Sequence, residues 1–439
     1  MQANLRTQLL YGFPALALTA AGVSVYVFIT RFYADCIGIS LSVIGAVVLG
    51  SRIWDAVIDP SIGALADRTS SRLGRRRAWL LFSLIPFSFA LFALFAPPAE
   101  LSARANEIWF AVSTFLFFLF LSTVQIPYEA LGAELSNDYN QRNRLFAIRQ
   151  GFFILGTVFA AALPSLLIAV WGFPEQVTEQ RGLFAAIGFI YAVLTVLSVL
   201  FLTNNIAGSE KPTIREQIHR SLMAQTLEAL QSPAFRILII AYVLSGFGAA
   251  LPATLIEFYV RYVLGGDSSA PFLVLYFSVG FVTLPIWVWL ANRYDKRNTW
   301  MVSLVINAGA FLGVFFLGPG SQSLYALLVT ISGIGFGGVV TIPLSMQADV
   351  IEHDARRNNG LRREGTFMGL WSVASKLSAA LGAGIAFPLL DFVGYVPNQP
   401  QSESVILTLR ALYAGLPALC YLLSLFVIIK FPLSRQDFN

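Results

Sequence analysis

The chain has 439 residues, 56% of them hydrophobic and 12% charged, with a mean hydropathy of +0.70. About a quarter of the residues in a soluble domain are charged, so this composition excludes an ordinary soluble fold and points to a multi-pass membrane protein. The net charge is +5, but the basic residues cluster between apolar runs, as topology determinants do. No basic–aromatic module for nucleic acid is present.

Twelve apolar segments follow one another. In the first half they cover about 9–33, 42–66, 78–96, 107–134, 145–171 and 182–203. In the second half they cover about 235–264, 270–291, 299–317, 323–350, 366–390 and 405–430. Each can cross a bilayer, which takes about twenty residues. The predicted fold class is an all-α membrane protein with twelve transmembrane helices in two six-helix pseudo-symmetric bundles. The bundles are predicted over 1–203 and 235–439, with a cytoplasmic linker over 204–234. Arg6 and the apolar stretch past Val27 read as a retained first span rather than a cleaved signal. Cys36 and Cys420 are too few for a disulfide framework.

Lys and Arg fall unevenly among the connections. The loop after the second span carries Arg68, Arg72, Arg75, Arg76 and Arg77, and the loop after the tenth carries Arg356, Arg357, Arg362 and Arg363. The loops after the first, third, fifth, seventh, ninth and eleventh spans hold only Arg104 and Arg181. By the positive-inside rule the even loops and both termini are cytoplasmic, in an inner membrane. In the linker, Ile214, Ile218, Leu222, Met223, Leu227 and Leu230 recur at helical spacing after Pro212, which predicts an amphipathic cytoplasmic helix.

The halves echo each other. Phe28-Ile-Thr-Arg31-Phe near the end of the first span matches Phe258-Tyr-Val-Arg261-Tyr near the end of the seventh. Ile126-Pro127 followed by Glu134 matches Ile342-Pro343 followed by Asp349. Duplicated transporter folds leave this signature.

The polar residues inside the spans carry the functional argument. Arg52, Asp55 and Asp59 are spaced i, i+3, i+7 and share one helical face within the second span. Charges at that depth face a bundle interior or a watery cavity and mark an ion or substrate path. Two carboxylates one turn apart in low dielectric cannot both stay ionised cheaply, so a bound cation, a proton or Arg52 must offset them. An Arg52–Asp55 pair that only fixes packing leaves Asp59 unexplained. Pro60 lacks an N–H and frees the carbonyl of Ala56, adding a hard oxygen of the kind small cations prefer. Ser122 and Gln125 in the fourth span add neutral oxygens, with Glu129 one turn on. Arg149 opens the fifth span. Lys376 is the only lysine in the interior of a span, and it needs a carboxylate partner, a water-filled cavity or an anionic ligand. Glu257 and Arg261 are spaced as an i, i+4 pair. Gly63-x-Leu65-x-Asp67-Arg68 with Gly74-Arg75-Arg76-Arg77, and with Arg142, reads as a latch at the cytoplasmic ends. Asp349, Arg363 and Glu364 are the corresponding residues of the second half. The only histidines, His219 and His353, fall in predicted cytoplasmic segments. With no metal cluster or nucleophile–base pair visible, the chain reads as a transporter rather than an enzyme.

These features resemble the glycoside–pentoside–hexuronide:cation symporters of the major facilitator superfamily, over nearly the whole chain. The resemblance is carried by Arg52-Ile-Trp-Asp55-Ala-Val-Ile-Asp59-Pro60 and by Ile126-Pro-Tyr-Glu-Ala-Leu-Gly-Ala-Glu134. Ala348-Asp349-Val-Ile-Glu352, continuing to Arg363-Glu364-Gly365 and Lys376, carries the rest. It implies that Asp55 and Asp59 bind a coupling cation, Na+ or H+, and that Arg149 and Lys376 line the substrate cavity or link it to the cation site. It implies cation-coupled symport by alternating access, with no cofactor and no metal beyond the coupling cation. The implied partners are a small-molecule substrate and the lipid bilayer, with a monomer as the working unit. The departures matter. Gln125 stands where a family aspartate precedes Ile-Pro, Thr19 where the family has a sugar-binding aspartate, and Glu129 where it has a tryptophan platform. Ser122 takes the place of the neutral hydroxyl ligand, and Tyr26 is retained. With two sugar-directed acids missing, an anionic glycoside such as a uronide is the expected cargo. Lysophospholipids, carried by vertebrate relatives of the branch, are the alternative.

Overall fold

The computed structural model describes residues 5–135, 139–174, 176, 179–205, 229–357 and 364–433, and these are helical with short connections. Among the described residues, twelve helices are long and apolar enough to cross a membrane. In the first unit these are α1 (Leu5–Ile29), α2 (Leu41–Arg68), α3 (Arg75–Phe95), α4 (Ala103–Glu134), α5 (Tyr139–Trp171) and α6 (Arg181–Asn205). In the second they are α7 (Pro233–Tyr262), α8 (Ala270–Arg293), α9 (Lys296–Phe315), α10 (Gln322–Arg357), α11 (Glu364–Phe392) and α12 (Glu403–Ile428). The described helices group into two compact units, α1–α6 and α7–α12. The linker residues 206–228, and with them most of the expected amphipathic helix, lie outside the described residues.

Local chemistry sets the helix ends. Ser40, Ser102 and Ser232 sit in extended conformation just before α2, α4 and α7, and each accepts a first-turn amide on its hydroxyl. Gly74 precedes α3 with φ +94° and ψ 152°, a conformation that requires glycine, and this tightens the arginine-rich α2–α3 loop. Prolines fall inside α2, α4, α7 and α10 at Pro60, Pro127, Pro252 and Pro343 without ending them.

The two units pack their helices in one order. In the first, α2 packs on α4, α4 on α3, α3 on α6, α6 on α1 and α1 on α5. In the second the order is α8, α10, α9, α12, α7, α11, the same path shifted by six helices. A tyrosine device recurs as well. The Tyr33 hydroxyl, just past α1, donates to the Leu94 carbonyl at the end of α3 at 2.9 Å. The Tyr259 hydroxyl of α7 donates to the Val314 carbonyl at the end of α9 at 2.7 Å. Last-turn carbonyls are short of helical partners and a lipid environment supplies none, so Tyr33 adds a donor at Leu94 and Tyr259 adds a second at Val314, which also takes the Leu317 amide.

Glycines bring the helices of the first unit close. A Cβ at Gly156 of α5 would lie 2.4 Å from the Leu16 backbone oxygen of α1, whereas a Cβ at Gly151 meets nothing within 4 Å. Small residues at such crossings let backbones approach, which is the main source of association between helices in lipid. Replacing Gly156 by Val should therefore cost about 1–3 kcal/mol of overpacking and lower the thermal transition of the purified protein. The control, Gly151→Ala on the same helix, should leave that transition unchanged.

Candidate functional site

Arg52 lies near the middle of α2, and its surroundings explain how a guanidinium is held inside a span. Its Nη1 donates to Asp55 Oδ2 at 3.0 Å, with side chains only 6% and 2% exposed. The guanidinium carbon stands 3.4 Å from the ring centre of Phe118 on α4 and 4.5 Å from that of Tyr26 on α1. The cation therefore sits against two aromatic rings, and Asp55 meets its charge. Desolvated contacts of this kind are worth up to about 2 kcal/mol each. Asp59 lies one turn further along α2 and is half-buried, on the face that Asp55 occupies.

A second cluster forms on α4 and α5. Arg149 Nη1 donates to Glu129 Oε1 at 2.9 Å, the pair being 26% and 45% exposed. Gln125 Nε2 donates to the same oxygen at 3.1 Å. Tyr11 of α1 and Tyr128 pack behind the pair, ring centres 4.9 Å apart, with the Tyr128 hydroxyl donating to the Tyr11 carbonyl. Phe118, Ser122, Gln125 and Glu129 are spaced 0, 4, 7 and 11 along α4, so they form one stripe. That stripe runs from the Arg52 contact to the Arg149 pair, through the buried Ser122. Sequence reading treats Arg149 as short of acids; the structure supplies Glu129.

Other residues singled out from the sequence fall as follows. Thr19 is buried on α1, two turns before Tyr26 and on the same face. Lys376 is half-buried on α11, a little over one turn after Trp371, whose ring stacks on Tyr242 of α7 at 4.0 Å. Asp349 takes Lys296 Nζ on both oxygens at 2.7 and 2.6 Å, tying the start of α9 to α10. Asp67 and Arg68 end α2, Arg142 lies in the first turn of α5 and Glu364 opens α11. Arg363 lies outside the described residues. Glu257 and Arg261 do not pair along α7: the Ser269 hydroxyl donates to the buried Glu257 carboxylate, and Arg261 reaches the Asn398 side chain at 3.4 Å.

Phe118 is the member of the site that sequence reasoning missed. In a chain with 37 phenylalanines its type carries no signal; its position one turn before Ser122 does.

The sequence profile described as MFS/sugar transport protein matches residues 10–435. The isoprimeverose transporter of Lactiplantibacillus pentosus is 26% identical, over 92% of this chain and 84% of its own. The glucuronide carrier protein homolog of Escherichia coli (strain K12) is 25% identical, over 94% and 89%. The sodium-dependent lysophosphatidylcholine symporter 1-A of Danio rerio is 24% identical, over 95% and 84%. The crystal structure of the nucleoside transporter NupG superposes with a TM-score of 0.67 at 14% identity, covering 98% of this chain and 100% of that one, and so shares the fold. The chain belongs to the MFS/sugar transport protein family, as a multi-pass membrane transporter rather than an enzyme.

Proposed function

We propose that this protein couples the movement of a glycoside bearing an acidic group, such as a uronide, to that of a monovalent cation by alternating access. The chain is a cation-coupled symporter in this reading, and Asp55 and Asp59 hold the coupling ion, sodium or a proton. The observation that carries it is the division of labour on α2. Arg52 is committed to Asp55 at 3.0 Å inside a cage of two rings, while Asp59 lies one turn beyond that contact. A cation arriving at Asp59 brings positive charge to within one turn of Arg52 and competes with it for Asp55. Ser122 and Gln125 supply neutral oxygens along the α4 stripe.

The anionic solute is supported by the Glu129–Arg149 pair and by Lys376. A carboxylate on the solute can take Arg149 from Glu129, because the pair is partly exposed and such pairs are held by about 1 kcal/mol or less. Thr19 and Tyr26 share the α1 face and would meet the neutral part of the solute. The relative named as a glucuronide carrier protein homolog favours this cargo. The relative named as a lysophosphatidylcholine symporter favours an amphiphile with one acyl chain as the second reading. Asp67, Arg68, Arg142, Asp349, Arg363 and Glu364 act as latch residues of the two halves, with both termini cytoplasmic in the inner membrane and the monomer as the working unit.

Uptake by reconstituted protein tests the cation assignment. Asp59→Asn should abolish stimulation by an imposed cation gradient while leaving counterflow of the solute measurable. A sodium gradient at constant pH and a pH gradient without sodium identify the ion. Unchanged gradient-driven uptake in Asp59→Asn would sink the assignment. Arg52→Gln should be far less tolerated in folding than Asp59→Asn, because it leaves Asp55 buried without its main cation, a loss of about 3–5 kcal/mol.

Glu129 tests the solute. Glu129→Gln removes the acid that competes for Arg149 and should shift the preference for a glucuronide over the matching neutral glucoside by about tenfold, equivalent to about 1.4 kcal/mol. Arg149→Gln should shift it the opposite way. Competition of both solutes against a labelled one measures the ratio, and a lysophospholipid in the same panel separates the two readings. An unmoved ratio in both variants would remove Arg149 from solute recognition.

A further inference from the structure

We propose that the outer face of the first unit holds a binding site for an anionic phospholipid, in a groove between α3, α4 and the α2–α3 loop. The groove has a volume of about 500 Å³ and is lined at one end by Thr69, Ser70 and Ser71 of the loop. Towards the other end it is lined by Phe82 and Pro86 of α3 and Phe120 of α4. Its size lies within the roughly 300–1,000 Å³ typical of small-ligand sites.

The membrane itself determines what meets this groove. Phe82 and Ile85 on α3 are 73% and 81% exposed, and α3 is one of the bilayer-crossing helices. Apolar side chains so exposed on a spanning helix face acyl chains. From Arg75, where α3 starts, to Pro86 the helix advances about 16 Å, 1.5 Å per residue, so the groove runs from the interface well into the hydrocarbon. Free phosphate could use only its mouth. A phospholipid matches both ends, with a chain against Phe82, Pro86 and Phe120 and a headgroup at the hydroxyls.

Charge selects the headgroup. Residues 67–77 contain five arginines, Arg68, Arg72, Arg75, Arg76 and Arg77, against the single acid Asp67. Basic segments at a membrane surface attract anionic lipids. The hydroxyl end is held in shape: Trp79 Nε1 donates to Thr69 Oγ1 at 2.7 Å, and the Thr69 hydroxyl donates to the Leu65 carbonyl at 2.8 Å. The loop thus closes over the start of α3 through an indole that itself lines the groove.

The full chain reconstituted in phosphatidylcholine nanodiscs provides the test, without any transported solute. Brominated acyl chains quench tryptophan fluorescence at short range. Brominated phosphatidylglycerol should quench more than brominated phosphatidylcholine at the same low fraction. That excess should disappear in Trp79→Phe, which removes the reporter, and fall in Arg72→Glu, which reverses one exposed charge on the loop. Equal quenching by the two lipids would overturn the proposal. So would an excess that survives both substitutions, which would put the lipid elsewhere on the protein. Loss of the excess on adding inorganic phosphate would reassign the mouth to a free anion. Because the readout is binding, its failure leaves the symport reading untouched.

Discussion

A guanidinium inside an apolar span is the constraint on which the first unit depends. Leaving Arg52 without compensation would cost several kcal/mol. The fold answers with three elements at once: Asp55 from the same helix, Phe118 from α4 and Tyr26 from α1. None of the three suffices alone. The carboxylate neutralises the charge but brings its own desolvation, while the rings are weak acceptors that lie against the guanidinium. Together they fix the rotation of α2 against α4, and that rotation determines where Asp59 lies. The packing of three helices is thereby tied to one electrostatic contact, and any ion that alters the contact alters the packing.

The α4 stripe extends this dependence. Phe118 touches Arg52 at one end and Glu129 touches Arg149 at the other, eleven residues along one helix face. Gln125 shares the Glu129 oxygen with Arg149, so a change in either partner is felt by the amide. Between them Ser122 is buried. A helix is stiff over this distance, and small rotations of α4 move both contacts together. The Arg52 and Arg149 contacts are thereby mechanically linked through one helix, without touching each other.

The sequence made the twelve spans legible because hydropathy over about twenty residues is a strong signal in a chain this apolar. It also exposed Arg52, Asp55 and Asp59, because charges in spans are rare enough to be read singly. Phe118 was not legible, since an aromatic residue in a membrane helix is ordinary until a cation is found above it. The acid that meets Arg149 is not legible for a related reason. Glu129 stands at a family position occupied by a tryptophan, and that position gives no hint of a basic partner. Periodicity placed Glu129 one turn from Gln125, but only the crossing of α4 and α5 brings Arg149 to the same oxygen. The Glu257–Arg261 spacing shows the converse. A correct helical interval brings two residues to one face without making them partners: Glu257 takes the Ser269 hydroxyl and Arg261 reaches Asn398.

The duplicated packing also shows what was not duplicated. Both units thread their helices in one order and close the third helix of each with a tyrosine hydroxyl. Yet α8, the counterpart of α2, contains no acid, its only charged residue being the terminal Arg293. Basic residues, by contrast, persist on the counterpart helices α5 and α11, as Arg149 and Lys376. Packing order depends on shape and small-residue crossings, which two copies of a sequence can keep while drifting in charge. A pair of intramembrane carboxylates is costly to keep, so it persists only in the half where an ion or a cation such as Arg52 offsets it. The asymmetry of charge within a symmetric scaffold thus separates what packing requires, which both halves keep, from the buried Arg52–Asp55 contact, which lies in the first half.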